Sequence, residues 1–158
     1  MRLTRYLTVP RTLCFVLSGD DVLVIKRSLH KRLFPGKVNG VGGHVERGED
    51  VAASAAREIL EETGLAVTHL WLAGVLHIDG RLGQAEPLPD GSLPGVMVFV
   101  FTADAPSRDV QASDEGELLW VPLAAVDGLD WVDGDPWLLR RALEARAANR
   151  AFSLVKAS

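Results

Sequence analysis

The sequence predicts an α/β protein in which one mixed β-sheet is covered by helices. Three observations carry that prediction. β-rich apolar runs flank a single alanine-rich central segment bounded by a helix start and a helix stop. A second segment with helical periodicity lies near the C-terminus. No internal repeat, low-complexity tract or linker interrupts the chain, so it reads as a single domain over residues 1–158. A chain of this length buries roughly 70% of its unfolded surface, enough for a core between sheet and helices.

The elements follow in order. RTLCFVLS (11–18) and DVLVIKR (21–27) are rich in aliphatic and β-branched residues and flank Gly19-Asp20, the pattern of an antiparallel hairpin. KVNGVGGHV (37–45) gives short extended pieces broken by glycines. Residues 50–63 read as a helix, with Asp50 as N-cap, an alanine-rich interior and Gly64 as the stop. VTHLWLAGVLHI (67–78) and GVMVFVFTAD (95–104) are strands, joined by the turn-rich loop DGRLGQAEPLPDGSLPG. LLWVPL (118–123) is a short strand ending at Pro122, and AAVDGL forms one helical turn. DPWLLRRALEARAANR (135–150) is a helix with Pro136 at its first position and Leu138, Leu139, Ala142 and Leu143 on its apolar face. AFSLVK supplies a last strand. Strands before and after one central helix, with a second helix at the end, give the mixed sheet with helical cover.

Composition narrows the function. The net charge of −4 argues against a general binder of double-stranded nucleic acid or of a membrane surface, which carries a basic excess. Cys14 is the only cysteine, which leaves no internal disulfide and no cysteine metal cage; a buried, inert thiol is its expected role. His30, His69 and His77 show no zinc-like spacing. No apolar stretch approaches the ~20 residues of a membrane span. Arg2, Arg5 and Arg11 precede an apolar run of only about six residues, too short for a signal peptide, so the cytoplasm is the expected location. No obligatory protein partner is evident.

The most informative stretch is GGHVERGEDVAASAAREILEETGL (42–65), which sets six acids against Arg47 and Arg57. Glu58, Glu61 and Glu62 share one helix face by their i, i+3, i+4 spacing. A solvated acidic face is the plain explanation of such spacing, because like charges at i, i+4 cost only a few tenths of a kcal/mol. The glycine-rich loop ahead of the cluster and the adjoining Arg57 favour another: hard divalent cations take carboxylate and phosphate oxygens.

These residues carry a resemblance. Gly43, Glu49 and the run Arg57-Glu58-Ile59-Leu60-Glu61-Glu62-Thr63-Gly64-Leu65 match every specified position of G-x5-E-x7-R-E-U-x-E-E-x-G-U, with U aliphatic, over residues 43–65. That pattern is the Nudix box, and the chain resembles the Nudix family. The resemblance implies an α/β/α sandwich with a central mixed β-sheet. It implies a loop–helix–loop that binds Mg²⁺ or Mn²⁺ and hydrolysis of a nucleoside diphosphate linked to another group, by attack of water on phosphorus. Glu61 and Glu62 then match metal ligands. Glu58 matches a ligand or the catalytic base, Arg57 a residue that positions Glu49 or a neighbouring glutamate, and the Gly42 carbonyl a further ligand. Glu115, in SDEGELLW (113–120), matches an additional metal-site glutamate of the triphosphate-cleaving members.

The substrate class rests on two further features. From Val22 to Val45 there is no acid, while Lys26, Arg27, Lys31, Arg32 and Lys37 are basic, a stretch able to steer polyphosphate toward the box. A solvated hairpin edge is the plainer account of each single lysine. FPGKVNGVGGHVERGE resembles the loop before the box in MutT-type enzymes and in the oxidised purine nucleoside triphosphate diphosphatases. By that likeness Asn39 reads the purine, Trp131 in LDWVDGDPWLL stacks on the base and Asp133 hydrogen-bonds to it. Two departures stand out: Gly134 occupies the second acid position, and His44 stands where lysine is usual. His44 could still contact phosphate. The resemblance thus implies a nucleoside triphosphate pyrophosphohydrolase, with 8-oxo-dGTP an example of its substrate. Other small nucleotide substrates stay open: a dinucleoside polyphosphate, a nucleotide sugar, ADP-ribose or a capped RNA end. So does a non-catalytic Nudix sensor, although such modules lose box glutamates that this chain keeps.

Overall fold

The computed structural model describes residues 5–111 and 113–158. In chain order these form β1 (Thr8–Ser18), β2 (Asp21–Arg27), β3 (Val38–Asn39), β4 (Val41–His44), α1 (Val51–Thr63), β5 (Thr68–Ile78), β6 (Gly95–Asp104), β7 (Gly116–Pro122), α2 (Trp137–Ala148) and β8 (Phe152–Lys156). Short 3₁₀ helices span Gly80–Leu82 and Leu123–Gly128.

One sheet runs β3-β2-β1-β6-β5-β8, with β4 also paired to β1 and β7 to β2. It is mixed: β1 runs parallel to β6 and β5 parallel to β8, and the other pairs are antiparallel. Strand alternation sends side chains to both faces. Cys14, Val16, Leu23 and Ile25 pack against Ala55 and Ile59 of α1. Phe15, Leu17, Val22 and Val24 pack on the other face, where α2 contributes Leu138, Leu139 and Ala142. The result is the expected α/β/α sandwich, with the two helices held on opposite faces by apolar burial.

Two details place the site. β1 pairs with β2 only near the hairpin, from Val16↔Leu23 to Ser18↔Asp21. Farther from the turn, β1 pairs with β4 from Arg11↔His44 to Cys14↔Val41, while β2 pairs with β3 at Ile25↔Asn39 and Lys26↔Val38. The two hairpin strands therefore diverge, and the glycine-rich segment 38–44 bridges the opening. The second detail is the seating of α1. The Asp50 carboxylate accepts from the Ala53 N–H at 3.0 Å, and Gly64 closes the helix in the left-handed conformation, φ 79°. Ser54, Ala55, Ile59 and Thr63 are buried against the sheet, which leaves Glu58 and Glu62 flanking that stripe. Helix α2 begins one residue later than the sequence suggests. Pro136 sits at the cap, and the Asp135 carboxylate accepts from the Trp137 N–H at 2.9 Å.

Candidate active site

Arg57 is the hub of the acidic helix. Its Nε and Nη2 donate to the two carboxylate oxygens of Glu49 at 2.7 and 3.0 Å, a bidentate fork. Its Nη1 donates to Glu58 Oε1 at 3.0 Å and to Glu61 Oε2 at 3.2 Å, and its Nη2 reaches the His44 carbonyl at 3.3 Å. Glu49 in turn accepts from the Glu46 N–H at 3.1 Å. One guanidinium thus ties the loop before α1 to the acidic face of the helix. The Arg57 hydrogen bonds hold the Glu49 carboxyl down at about 2. Gly43 fits this arrangement sterically: a Cβ there would stand 2.6 Å from the Glu58 carboxyl.

Glu62 has the opposite environment. Burial comes first, then the charge of Glu58, and together they push its carboxyl up to about 8. A backbone hydrogen bond from Gly42 works against them, and the charge of Glu115 adds to them. Glu58 and Glu115 are therefore both close enough to repel Glu62, although Glu115 is distant in sequence. As they stand, the described residues do not gather three acidic, histidine or cysteine side chains into a ready cation cage. Arg57 draws Glu58 and Glu61 toward itself, and Lys31 holds Glu115 at 2.6 Å. The donor set still fits a hard divalent cation. It is all oxygen, it is crowded with like charge, and Glu62 carries a raised pKa that a cation would lower.

Where the hairpin strands diverge lies a cavity of about 170 Å³. Its walls are largely aliphatic, with Leu13, Leu76, Val96, Val98 and Leu138 among them, and Phe34 at one side. Polar groups enter from Asn39, Gln84 and Asp133, and two cations from Arg11 and Arg27. Gly42 belongs both to this wall and to the surroundings of Glu62.

Residues 7–141 match the family model of the NUDIX domain. The chain belongs to the Nudix family. Among Nudix relatives, the oxidized purine nucleoside triphosphate hydrolase of Mus musculus is 34% identical over 128 residues, 80% of this chain and 74% of its own. A putative 8-oxo-dGTP diphosphatase 2 of Mycobacterium tuberculosis is 31% identical over 138 residues, covering 85% of this chain and 89% of its own. Among solved structures, a MutT protein from Bacillus halodurans superposes with TM-score 0.73 at 25% identity, over 94% of this chain and 89% of that one. The chain is a Nudix hydrolase with the MutT-like fold.

Against that Nudix frame the expected substrate residues divide. Asn39 and Asp133 line the cavity. The Asn39 Oδ1 accepts from the Gly40 N–H at 2.9 Å, and Asp133 pairs with Lys156 at 3.5 Å. His44 ends β4 exposed, and partial desolvation of its ring followed by the neighbouring Arg11 lowers its pKa. Trp131 does not line the cavity. It is 3% exposed, lies in the core beneath α2 and donates its indole N–H to the Val126 carbonyl at 2.7 Å. Lys26 points away from the cavity, because Ile25 and Arg27 occupy the cavity-facing positions of β2. The basic stretch is also less free than its charge suggests: Lys31 pairs with Glu115, Arg32 with Glu86 and Lys37 with Asp130. Arg11 is the cavity residue missed from sequence, and Arg27, already part of the basic stretch, lines the cavity with it. Their signal was strand alternation, which puts Arg11 in step with Leu13 and Arg27 in step with Ile25.

Proposed function

We propose that this Nudix hydrolase is a metal-dependent nucleoside triphosphate pyrophosphohydrolase, converting a triphosphate to the monophosphate and pyrophosphate. We further propose that oxidised purine nucleotides such as 8-oxo-dGTP are among its substrates. The observation that carries the reading is the position of Gly42. It joins an aliphatic cavity of nucleobase character to the acidic cluster around Glu62. The names of the mouse and mycobacterial relatives support the substrate class.

Glu58, Glu61, Glu62 and the Gly42 carbonyl, with Glu115 released from Lys31, are the groups that would hold Mg²⁺ or Mn²⁺. When bound, the cation supplies neutralisation of phosphate charge and activation of water. The side chains do the rest. Arg57 holds Glu58 through Oε1, which leaves Oε2, beside Glu62, as the oxygen to take a proton from the attacking water. The Glu49–Arg57 fork fixes the side from which that oxygen faces the site. Arg27, in the cavity wall, offers positive charge to the polyphosphate. Asn39 and Asp133 offer the base an amide and a carboxylate. No helix among the described residues is long and apolar enough to cross a membrane.

The test is product analysis over a panel of nucleotides with and without Mg²⁺. The panel includes 8-oxo-dGTP, the ordinary triphosphates, a dinucleoside polyphosphate, a nucleotide sugar, ADP-ribose and capped RNA. The expected result is monophosphate plus pyrophosphate from a triphosphate, only with a divalent cation, and loss of most turnover in Glu61→Gln at unchanged melting temperature. Full activity in Glu61→Gln, release of orthophosphate from the triphosphate, or preference for another panel member overturns the reading. Tight nucleotide binding with no hydrolysis of any member would mark a sensor.

A further inference from the structure

Arg11 has no role in the scheme above, yet its position is costly. It lies in β1 between two strands, opposite His44 of β4 and opposite Val98 of β6, so its backbone is fixed. Its side chain lines the cavity together with Leu13, Val98 and Val132. Burial works most strongly against its charge, Arg27 adds to that, and the field of Glu58 supports it. None of the ion pairs among the described residues includes it. The cavity's own carboxylate, Asp133, is engaged by Lys156. Arg27 differs in having Nε spent on the Leu33 carbonyl at 2.9 Å.

A guanidinium offers five donors and no acceptor. Held in a largely aliphatic cavity whose one carboxylate is engaged elsewhere, it is costly until a ligand brings an acceptor to it. If the cavity seats a nucleobase, the acceptor must come from the base edge. Guanine presents a carbonyl oxygen at C6, whereas adenine presents an amino donor there. An arginine facing that edge attracts the first and repels the second.

We propose that Arg11 is a specificity-determining residue that donates to the C6 carbonyl oxygen of a purine in the cavity, so that the enzyme selects 6-oxopurine over 6-aminopurine nucleotides. The carbonyl is common to guanine, hypoxanthine and 8-oxoguanine. Arg11 therefore sets the purine class, and other cavity groups judge oxidation. The proposal rests on the nucleotide-hydrolase reading given above.

The experiment measures calorimetric binding of dGMP, dIMP and dAMP to the wild type, Arg11→Met and Arg11→Lys, with melting curves for each. A hydrogen bond to a charged donor is worth roughly a 10- to 100-fold change in binding. The wild type binds dGMP and dIMP at least about tenfold tighter than dAMP. Arg11→Met weakens the first two by roughly 10- to 100-fold and leaves dAMP within about twofold. Arg11→Lys keeps the charge and retains part of the preference. Equal weakening of all three ligands by Arg11→Met assigns Arg11 to phosphate and overturns the proposal, as does no weakening at all. If Arg11→Met does not fold, the wild type is compared on dIMP and on the purine nucleotide lacking any C6 substituent; equal affinity overturns the proposal. A wild type that hydrolyses triphosphates without any 6-oxo preference removes the Arg11 role alone. One that neither binds nor hydrolyses nucleotides removes the parent reading as well.

Discussion

Replacing Glu62 by glutamine should stabilise the metal-free protein at alkaline pH. In the fold its carboxyl is pushed up to about 8, first by burial and then by the charge of Glu58. In the unfolded chain it returns to the ordinary range near 4.3. Between these values the native state holds a proton that the unfolded state has lost, so stability falls as pH rises through that window and the loss is complete above it. Each pKa unit corresponds to about 1.4 kcal/mol, so the full shift approaches ~5 kcal/mol, and partial solvent exposure of the site cuts this to roughly 1–3 kcal/mol. For a domain of this size that is about 2–10 °C in melting temperature. The assay is thermal melting in chelator from pH 4 to pH 9, wild type against Glu62→Gln. The variant should gain stability progressively above pH 5, match the wild type near pH 4, and lose its advantage when millimolar Mg²⁺ is added. A variant less stable than the wild type at pH 9 in chelator refutes the argument that Glu62 is crowded by like charge.

Three further predictions follow from single contacts. Arg57→Lys keeps the charge but cannot form the fork to Glu49, so turnover should fall about 100-fold; the Glu49 carboxyl, now held at about 2, should rise toward its ordinary range, and the stability its depression contributes above pH 4.5 should shrink, which moves the acid-unfolding midpoint to higher pH. Gly43→Ala puts a methyl group 2.6 Å from the Glu58 carboxyl and should cut kcat by tenfold or more with little change in KM, as steady-state kinetics would show. Trp131→Phe leaves the Val126 carbonyl without its indole donor; it should lower stability by about 1–2 kcal/mol in urea titrations while leaving KM within about twofold, whereas a stacking role would raise KM and spare stability.

Much of the architecture was legible because it depends on local chemistry. Asp50 and Gly64 mark the ends of α1 by their own hydrogen bonding and backbone freedom, and the structure begins and ends the helix between them. Strands such as Val22–Ile25 announce themselves because both faces of the sheet are covered, giving a continuous apolar run. The resemblance likewise implied that Arg57 would hold Glu49 or a neighbouring glutamate, and its guanidinium reaches Glu49, Glu58 and Glu61. What was not legible depended on contacts between distant segments. Lys31, Arg32 and Lys37 look free in a run without acids, yet Glu115, Glu86 and Asp130 reach them from other loops. Lys26 and Arg27 are adjacent basic residues, and only the register against β3 and β7 shows which of them faces the cavity. Trp131 sits in a polar stretch that looks exposed; pairing of Val38 with Asp130 and Val132 draws the segment against β3 and presses the indole into the core. Arg11 was hidden because a lone arginine at the start of an apolar run gives no sign that the sheet splits beside it.

The central claim is that the carboxylates at the end of α1 repel one another until a divalent cation joins them. Titration of the protein with Mn²⁺, followed by paramagnetic resonance between pH 5 and pH 9, tests it most directly. Binding should tighten about tenfold per pH unit up to about pH 8, because the cation displaces the Glu62 proton, then level off, and it should weaken sharply in Glu62→Gln. Binding that ignores pH and survives that substitution, or no binding at all, would contradict the account.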